Sequence, residues 1–270
     1  MTATRDTETG GTAGTAARLA RHPLGTVGAL WRLPSVTVTR LTLDSYVRRG
    51  WILFDLLAVL VMLLALFYPF AATAAAFYGS AGLALLGLAV LGTVIVMRPA
   101  MSARAYLILA RLPSRASYSR GMMIAACTLR VFDCLLATVL ALATGRIIRP
   151  TPGPLAMGLI GVMADCVVVA ALTVTLCAPI GSRQVLIVFL AWFIAAFLPV
   201  RDAAHLPAIL PALMGLARLP LAPFSTLFEG GATGADAPSI LLALAVEAGY
   251  IGALAWVAGA LLERRELLLH

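Results

Sequence analysis

Long apolar runs, separated by short segments that contain arginine, make up most of the chain from Trp51 onward. A helix needs about 20 consecutive apolar residues to cross the hydrocarbon core of a bilayer. The runs that reach or approach this length cover residues 51–70, 75–97, 121–144, 155–178, 185–200 and 239–262. The pattern therefore predicts an all-α integral membrane protein with six transmembrane helices, the fifth of which is short.

The residues before the first run have a different pattern. Residues 1–28 are rich in Thr, Gly and Ala with scattered charge. Such a composition buries too little apolar area to fold alone, so we expect a disordered cytoplasmic tail. Residues 29–50 interleave apolar side chains with arginine, and Pro34 must start or break a helix. This pattern favours an amphipathic helix from about Ser35, lying in the headgroup plane and leading into a six-span domain over residues 51–267.

The segment between the fifth and sixth apolar runs, residues 201–238, is apolar but frequently interrupted. Its interruptions are prolines and a pair of glycines, namely Pro207, Pro211, Pro220, Pro223, Gly230 and Gly231. Apolar stretches such as 208–218 are too short to cross the bilayer. We expect short interfacial or re-entrant helices here.

Composition supports the membrane assignment and excludes several kinds of enzyme. Apolar residues make up 61% of the chain and charged residues only 12%, against roughly 25% charged in a soluble domain. Every basic residue is arginine, so the lysine that a phosphate-binding P-loop requires is missing. The three histidines lie outside the predicted spans, and no G-x-S-x-G motif is present. We therefore expect no catalytic residues, no cofactor and no metal in this chain.

The distribution of arginine predicts how the chain is oriented. With the N-terminus inside, 15 of the 20 arginines fall in cytoplasmic segments, and by the positive-inside rule both termini are then cytoplasmic. The net charge of +8 is explained by this topology and by contact with anionic lipid headgroups. Nucleic-acid binding is the alternative for a basic chain, but it is disfavoured because the arginines are dispersed along the span ends.

The most informative polar segment is residues 98–120, between the second and third spans. Ser102 can cap a short helix that Pro113 stops, and Ser114 can cap the helix that follows. Arg104 and Arg111 are seven residues apart and share one helix face. One interpretation is a docking segment for a cytosolic partner. The other is a solvated connector whose arginines only obey the positive-inside rule.

Ionisable residues inside the predicted spans are the other candidate site, because such groups are costly in hydrocarbon and are often functional. Arg130 and Asp133 are three residues apart in the third span, and Asp165 lies at a similar depth in the fourth. The three could form a cluster that lines a translocation path or one that clamps two helices in register. Glu247 in the sixth span has no evident partner and could face a cavity, whereas Asp55 is expected at the membrane interface.

All four cysteines fall within predicted spans: Cys127, Cys134, Cys166 and Cys177. Cys134 and Cys166 lie at similar depths, which would permit binding of a soft metal ion. Burial as small apolar side chains is the other interpretation, and the absence of a C-x-x-C motif favours it.

Several short motifs, in order, resemble those of the permease subunit of the second exporter type of ATP-binding-cassette (ABC) transporters. Thr39-Arg40-Leu41-Thr42-Leu43, followed by Val47-Arg48-Arg49, resembles the family's helix that leads into the first span. Leu109-Ala110-Arg111-Leu112-Pro113-Ser114-Arg115, with Tyr118 and Gly121, resembles the stretch that carries the coupling helix. The Pro-rich segment 201–238 resembles the family's re-entrant outer helices. Glu263-Arg264-Arg265-Glu266-Leu267 resembles its basic tail.

The resemblance, which covers residues 36–267, implies a multi-pass protein of the cell inner membrane that forms the translocation path of an ATP-driven exporter. The partners it implies are two copies of a cytosolic ABC ATPase subunit and a second permease subunit, in a homodimer or a heterodimer. Residues implied in coupling to the ATPase are Arg104, Tyr106, Arg111, Pro113, Arg115 and Tyr118. The alternative is a membrane scaffold or assembly subunit of a larger complex without transport activity. The transported substrate does not follow from the fold.

The topology can be tested with reporter fusions. Because both termini and the loop between the fourth and fifth spans are predicted to be cytoplasmic, fusions at Arg265 and Ser182 should report the cytoplasm. A fusion at Gly231 should report the outside. A cytoplasmic signal from the Gly231 fusion would contradict both the six-span topology and the resemblance.

Overall fold

The computed structural model describes residues 34–68, 70–98, 114–180 and 237–264, and side chains at 178–180, 237–239 and 264 are not considered. Six α-helices account for nearly all of these residues, and no strand occurs among them. The helices are α1 (Pro34–Arg48), α2 (Trp51–Phe67), α3 (Ala74–Met97), α4 (Arg115–Ala143), α5 (Pro152–Ile180) and α6 (Ala237–Arg264).

Four of these helices, α3 to α6, are long and apolar enough to cross a membrane, and α1 with α2 would make a fifth span if the bent pair counts as one. This arrangement fits a multi-pass membrane protein. The predicted helices over 51–70, 75–97, 155–178 and 239–262 correspond to α2, α3, α5 and α6. The predicted tail over 1–28, the fifth span over 185–200 and the re-entrant segment over 201–238 lie outside the described residues.

A sharp turn at Gly50 separates α1 from α2. Gly50 has a φ of 75°, in the left-handed region that glycine adopts without steric cost, and its amide donates to the carbonyl oxygen of Val47 at 2.9 Å. The axes of the two helices differ by 71°. The turn brings Tyr46 at the end of α1 back towards Asp55 in α2.

Helix α4 begins six residues earlier than the predicted third span, at Arg115 instead of residue 121. The reason is local, because the Ser114 side chain accepts a hydrogen bond from the amide of Ser117 and caps the helix there. The end of the 98–120 segment is therefore the first part of a helix of 29 residues that continues to Ala143. The capping role predicted for Ser114 is confirmed.

Helix α1 packs against the first half of α4 through small and hydroxylated side chains. Thr39 donates to the carbonyl oxygen of Gly121 at 3.0 Å, and Thr42 donates to the Met122 sulfur at 3.2 Å. Val38 and Tyr46, on the same helical stripe, are buried. In contrast, Leu41 and Val47 are exposed on the opposite side of α1. Two of the apolar residues that made α1 look amphipathic thus face away from the described helices, whereas Val38 faces α4.

Helix α5 is central, since it packs against α3, α4 and α6. The contacts between α3, α4 and α5 are close because many of the buried residues there are small, among them Ala81, Ala89, Ala137, Ala141 and Ala171. On the side opposite the α1 contact, the loop after α2 pairs with the loop after α4. Ala72 and Ile147 form an isolated parallel bridge, and Arg146 donates to the carbonyl oxygen of Tyr68 at 3.0 Å.

The outer faces of α2 and α6 carry large apolar side chains that no described helix covers. On α2 these are Leu53, Phe54, Leu56, Leu57, Leu60, Val61 and Leu64, and on α6 they are Leu241, Leu242, Val246, Tyr250, Trp256 and Leu261. Apolar surface of this extent is typical of contact with lipid or with another membrane helix.

The contact between α1 and α4 can be tested at Gly121. A methyl group added there would lie 2.6 Å from the Ser35 carbonyl oxygen and 2.6 Å from the Val38 Cβ, so the helices would have to separate. Because overpacking of this kind costs about 1–3 kcal/mol, Gly121→Ala should lower the Tm of the purified protein by about 2 °C or more. Gly87→Ala is the matched control, since nothing lies within 4 Å of a Cβ at that position. Equal Tm values for the two variants would contradict the packing.

Candidate functional site

Arg130 is the largest fully buried side chain among the described residues, with 1% of its surface exposed. It lies midway along α4, and its guanidinium reaches across to α3, where Nη1 donates to the carbonyl oxygen of Leu88 at 3.2 Å. Gly92, one turn further along α3, makes room for it, because any Cβ at position 92 would overlap the guanidinium. A cation can occupy this interior only if carboxylates neutralise it.

Two carboxylates neutralise Arg130, one from α2 and one from its own helix. The Asp55 Oδ2 lies 3.2 Å from Nη2, and Asp133 forms an ion pair with Nη1 one turn along α4. Tyr46 of α1 completes the group by donating its hydroxyl proton to the same Asp55 oxygen at 2.8 Å. We call Tyr46, Asp55, Arg130 and Asp133 the arginine cluster. It ties α1, α2, α3 and α4 together at one point.

The prediction for this site is thus partly met. The structure brings Arg130 and Asp133 together, as their spacing suggested. Asp55 was expected at the membrane interface, but it is fully buried and is the second counter-charge of Arg130. No local pattern indicated this contact, because the arginine that reaches Asp55 comes from a helix 75 residues away in sequence.

Asp165 does not belong to the arginine cluster, which corrects the predicted group of three. It lies on α5 with 1% of its surface exposed, and its side chain faces Glu247 on α6, which is 2% exposed. The two carboxyl groups are within hydrogen-bonding reach of each other. Similar depth along two neighbouring helices was insufficient to predict contact, because Asp165 is turned towards α6 and away from Arg130. We call Asp165 and Glu247 the carboxyl pair.

The residues expected to couple to an ATPase are only partly described. Arg104, Tyr106, Arg111 and Pro113 lie outside the described residues, and Arg115 is half-buried at the start of α4. Tyr118 was expected to project towards a partner but is buried, in a cluster with Val38 of α1. The correction follows from the early start of α4, because the helical register turns this ring into the protein. Among the described residues of this segment, Arg120 is exposed.

The cysteines provide no metal site within the described helices. The thiols of Cys134 on α4 and Cys166 on α5 are within hydrogen-bonding reach, so the expected similarity of depth holds. Both are buried and neither forms a disulfide bond with a described cysteine. No group of three or more His, Cys, Asp or Glu side chains in the described part of the chain is arranged to hold a metal ion.

The described part of the chain is an all-helical protein whose long apolar helices are compatible with a multi-pass membrane protein. Two groups of ionisable side chains, the arginine cluster and the carboxyl pair, are buried between these helices. Comparisons of the chain with known protein families, with curated proteins and with solved structures gave no match. Unpaired or networked charges between membrane helices are costly, and they commonly mark transport paths or elements that move.

The division into two clusters can be tested with two double-mutant cycles. Arg130→Met removes the cation and strands two buried carboxylates, so it should cost about 3–5 kcal/mol of unfolding free energy. Adding Asp55→Asn removes one stranded charge, so the double variant should be more stable than the two losses added together, by about 0.5–3 kcal/mol.

Asp165→Asn is the control in this experiment. Asp165 makes no ion pair with Arg130, so the losses from Arg130→Met and Asp165→Asn should add within about 0.5 kcal/mol. The measurement is reversible unfolding in mixed micelles. Equal coupling of Arg130 to Asp55 and to Asp165 would return Asp165 to the arginine cluster and contradict the structure.

Proposed function

We propose that this chain is the transmembrane subunit of an ATP-driven exporter of the ABC type, which forms the translocation path and works with a separate cytosolic ATPase subunit. The proposal rests on the resemblance of residues 36–267 to the permeases of the second exporter type. One structural observation supports it most strongly. Helix α4 is unbroken from the end of the predicted docking segment to the arginine cluster.

This continuity gives a route for mechanical coupling. A helix transmits displacement along its axis because its hydrogen-bonded backbone resists bending. Arg130 is 15 residues after Arg115, or about 22 Å at about 1.5 Å per residue. A force applied to the 98–120 segment by an ATPase would therefore reach the arginine cluster directly. Helix α1, which packs on the first half of α4, would move with it.

The partners follow from the same proposal. Two ATPase subunits would engage two copies of the permease, or this chain and a similar one, at their 98–120 segments. The uncovered apolar faces of α2 and α6 provide surface for lipid and for the second permease subunit. No feature of the described residues selects a substrate class, so the cargo is left unassigned.

The proposal can be tested by charge reversal at Arg111. Because a docking segment with positive charge would meet a complementary surface on the ATPase, Arg111→Glu should reduce ATPase recovered with the purified chain by about 10-fold. It should also uncouple ATP hydrolysis from transport. Arg111 is preferred to Arg115, since the half-buried Arg115 has an interaction of its own and its replacement would also disturb the start of α4.

Arg48→Glu is the matched control, because Arg48 is 78% exposed on α1 and its ion pair with Asp44 is a surface pair of little energetic value. Insertion of each variant should be checked with the reporter fusions, since loss of an arginine weakens the positive-inside signal. If correctly inserted Arg111→Glu bound the ATPase as well as Arg48→Glu did, the docking assignment would fail. If the ATPase bound but no ATP-dependent transport followed, the scaffold alternative would be favoured.

A further inference from the structure

Among the described residues, the carboxyl pair has no partner that would explain two buried acids. All four oxygen atoms of Asp165 and Glu247 are shielded from solvent, and none accepts a hydrogen bond from any described donor. Neither side chain forms an ion pair with a described arginine. This differs from the arginine cluster, where each carboxylate has the guanidinium within reach.

Two ionised carboxylates cannot remain in contact under these conditions. An ionised carboxyl group only accepts hydrogen bonds, so the pair lacks a donor when both members are charged. Two negative charges on carboxyl groups within hydrogen-bonding reach of each other also repel strongly in an interior of low polarity. One proton removes both difficulties, because it leaves a single charge and supplies an O–H group that donates to the other carboxylate.

The surroundings of the pair exclude other sources of compensation within the described helices. On one side lies an apolar cluster of Ile240 and Ala243 from α6 with Met157 and Ala164 from α5. On the other side, Thr175 of α5 donates to the carbonyl oxygen of Leu254 in α6 at 3.5 Å, a contact that continues the same helix interface. The pair is thus enclosed where α5 and α6 meet.

The remaining ionisable groups near the pair are few. Helix α4 contributes the Cys134 thiol, which interacts with Asp165, and α5 contributes Cys166 beside it. Helix α3 contributes Tyr78, whose hydroxyl is hydrogen-bonded to Thr138 at 3.2 Å and which lies near Cys134. Arg130 also acts on Cys166, but its charge is held by Asp55 and Asp133. None of these is a cation free to neutralise the pair.

We propose that Asp165 and Glu247 form a proton-binding site that holds α6 against α5 while one proton is shared between the two carboxyl groups. Loss of that proton leaves two charges in contact and drives the helices apart at this point. The ligand is a proton in preference to a metal ion, because no third His, Cys, Asp or Glu side chain among the described residues is placed to complete a metal site with the pair. The proposal does not depend on the ATPase.

The site has a consequence for movement, because α6 is the least enclosed of the four membrane-length helices. Only 17% of its most apolar window is buried among the described helices, against 50% or more for α3, α4 and α5. Its main contacts among the described helices are with α4 and α5, and the carboxyl pair lies in the contact with α5. A proton at the pair therefore acts on one of the two interfaces that hold α6.

The test uses the pH dependence of thermal stability in purified protein. In wild type, Tm should fall by about 5 °C or more from acidic to alkaline pH, as the shared proton is lost. Glu247→Gln supplies a permanent donor of nearly the same shape, so at least half of that fall should disappear and stability at alkaline pH should rise. Asp165→Asn should act in the same way and serves if Glu247→Gln is poorly produced.

Glu263→Gln is the matched control, since it makes the same chemical change on the same helix at an exposed position. Cys134→Ala controls for titration of the neighbouring thiol. Both should keep the wild-type pH dependence. If Glu247→Gln and Asp165→Asn also kept it, or if Cys134→Ala abolished it, the proposal would be overturned.

A second measurement observes the proton itself. In the infrared spectrum, the C=O band of a protonated carboxyl group should be present at neutral pH in wild type and in Glu263→Gln. The band should lose intensity equal to one carboxyl group per chain in the Asp165→Asn, Glu247→Gln double variant. An unchanged intensity in the double variant would refute the proposal. So would a Tm at alkaline pH that rose with Na⁺ concentration only when both carboxyl groups were present, because the ligand would then be Na⁺.

Discussion

The position of Arg130 is the constraint on which most of the described fold depends. A guanidinium cannot lose its hydration without hydrogen-bond acceptors and counter-charges. Asp133 from the same helix provides only part of this compensation, so α2 must approach closely enough for Asp55 to reach the cation. Asp55 then requires a further donor, which Tyr46 provides. The turn at Gly50 makes this hydrogen bond possible, because the turn folds the end of α1 back onto the start of α2. The bent pair α1–α2 is thus a consequence of burying one arginine in α4.

The two buried clusters lie at successive levels along α4. Arg130 faces α2 and α3, whereas Cys134, one turn later, lies near Cys166 and Asp165 of α5. One cluster contains its own cation and is compensated internally. The other has two acids and depends on a proton that it can gain or lose. The first is suited to fixing helices in register, and the second to a contact that can be broken.

The sequence was sufficient to predict most of the described membrane helices but only part of the site. Apolar runs predicted α2, α3, α5 and α6 well, because length and hydropathy are local properties of a membrane helix. The pair Arg130–Asp133 could also be predicted, since an i,i+3 spacing fixes a shared helix face. The contact of Asp55 with Arg130 and that of Asp165 with Glu247 depend on how helices rotate about their axes, which no local pattern determines. Tyr46 and Asp55 offered one usable signal, because they flank a glycine turn and could have been expected to meet.

The buried contacts hold five of the described helices together as a unit. The arginine cluster binds α1, α2 and α3 to α4, and the small residues between α3, α4 and α5 bring those backbones close together. Separating the arginine cluster would leave buried charges unpaired, and separating the small-residue contacts would open a void. These five helices therefore resist separation. Helix α6 also packs closely against α4 at one end, where Ala258 is buried and a Cβ at Gly259 would lie 3.2 Å from the Ala116 Cβ. Its contact with α5, in contrast, contains two acids that repel each other when both are ionised. The proposed loss of the shared proton would therefore act on that contact, and the arginine cluster, which has its own cation, would be left intact.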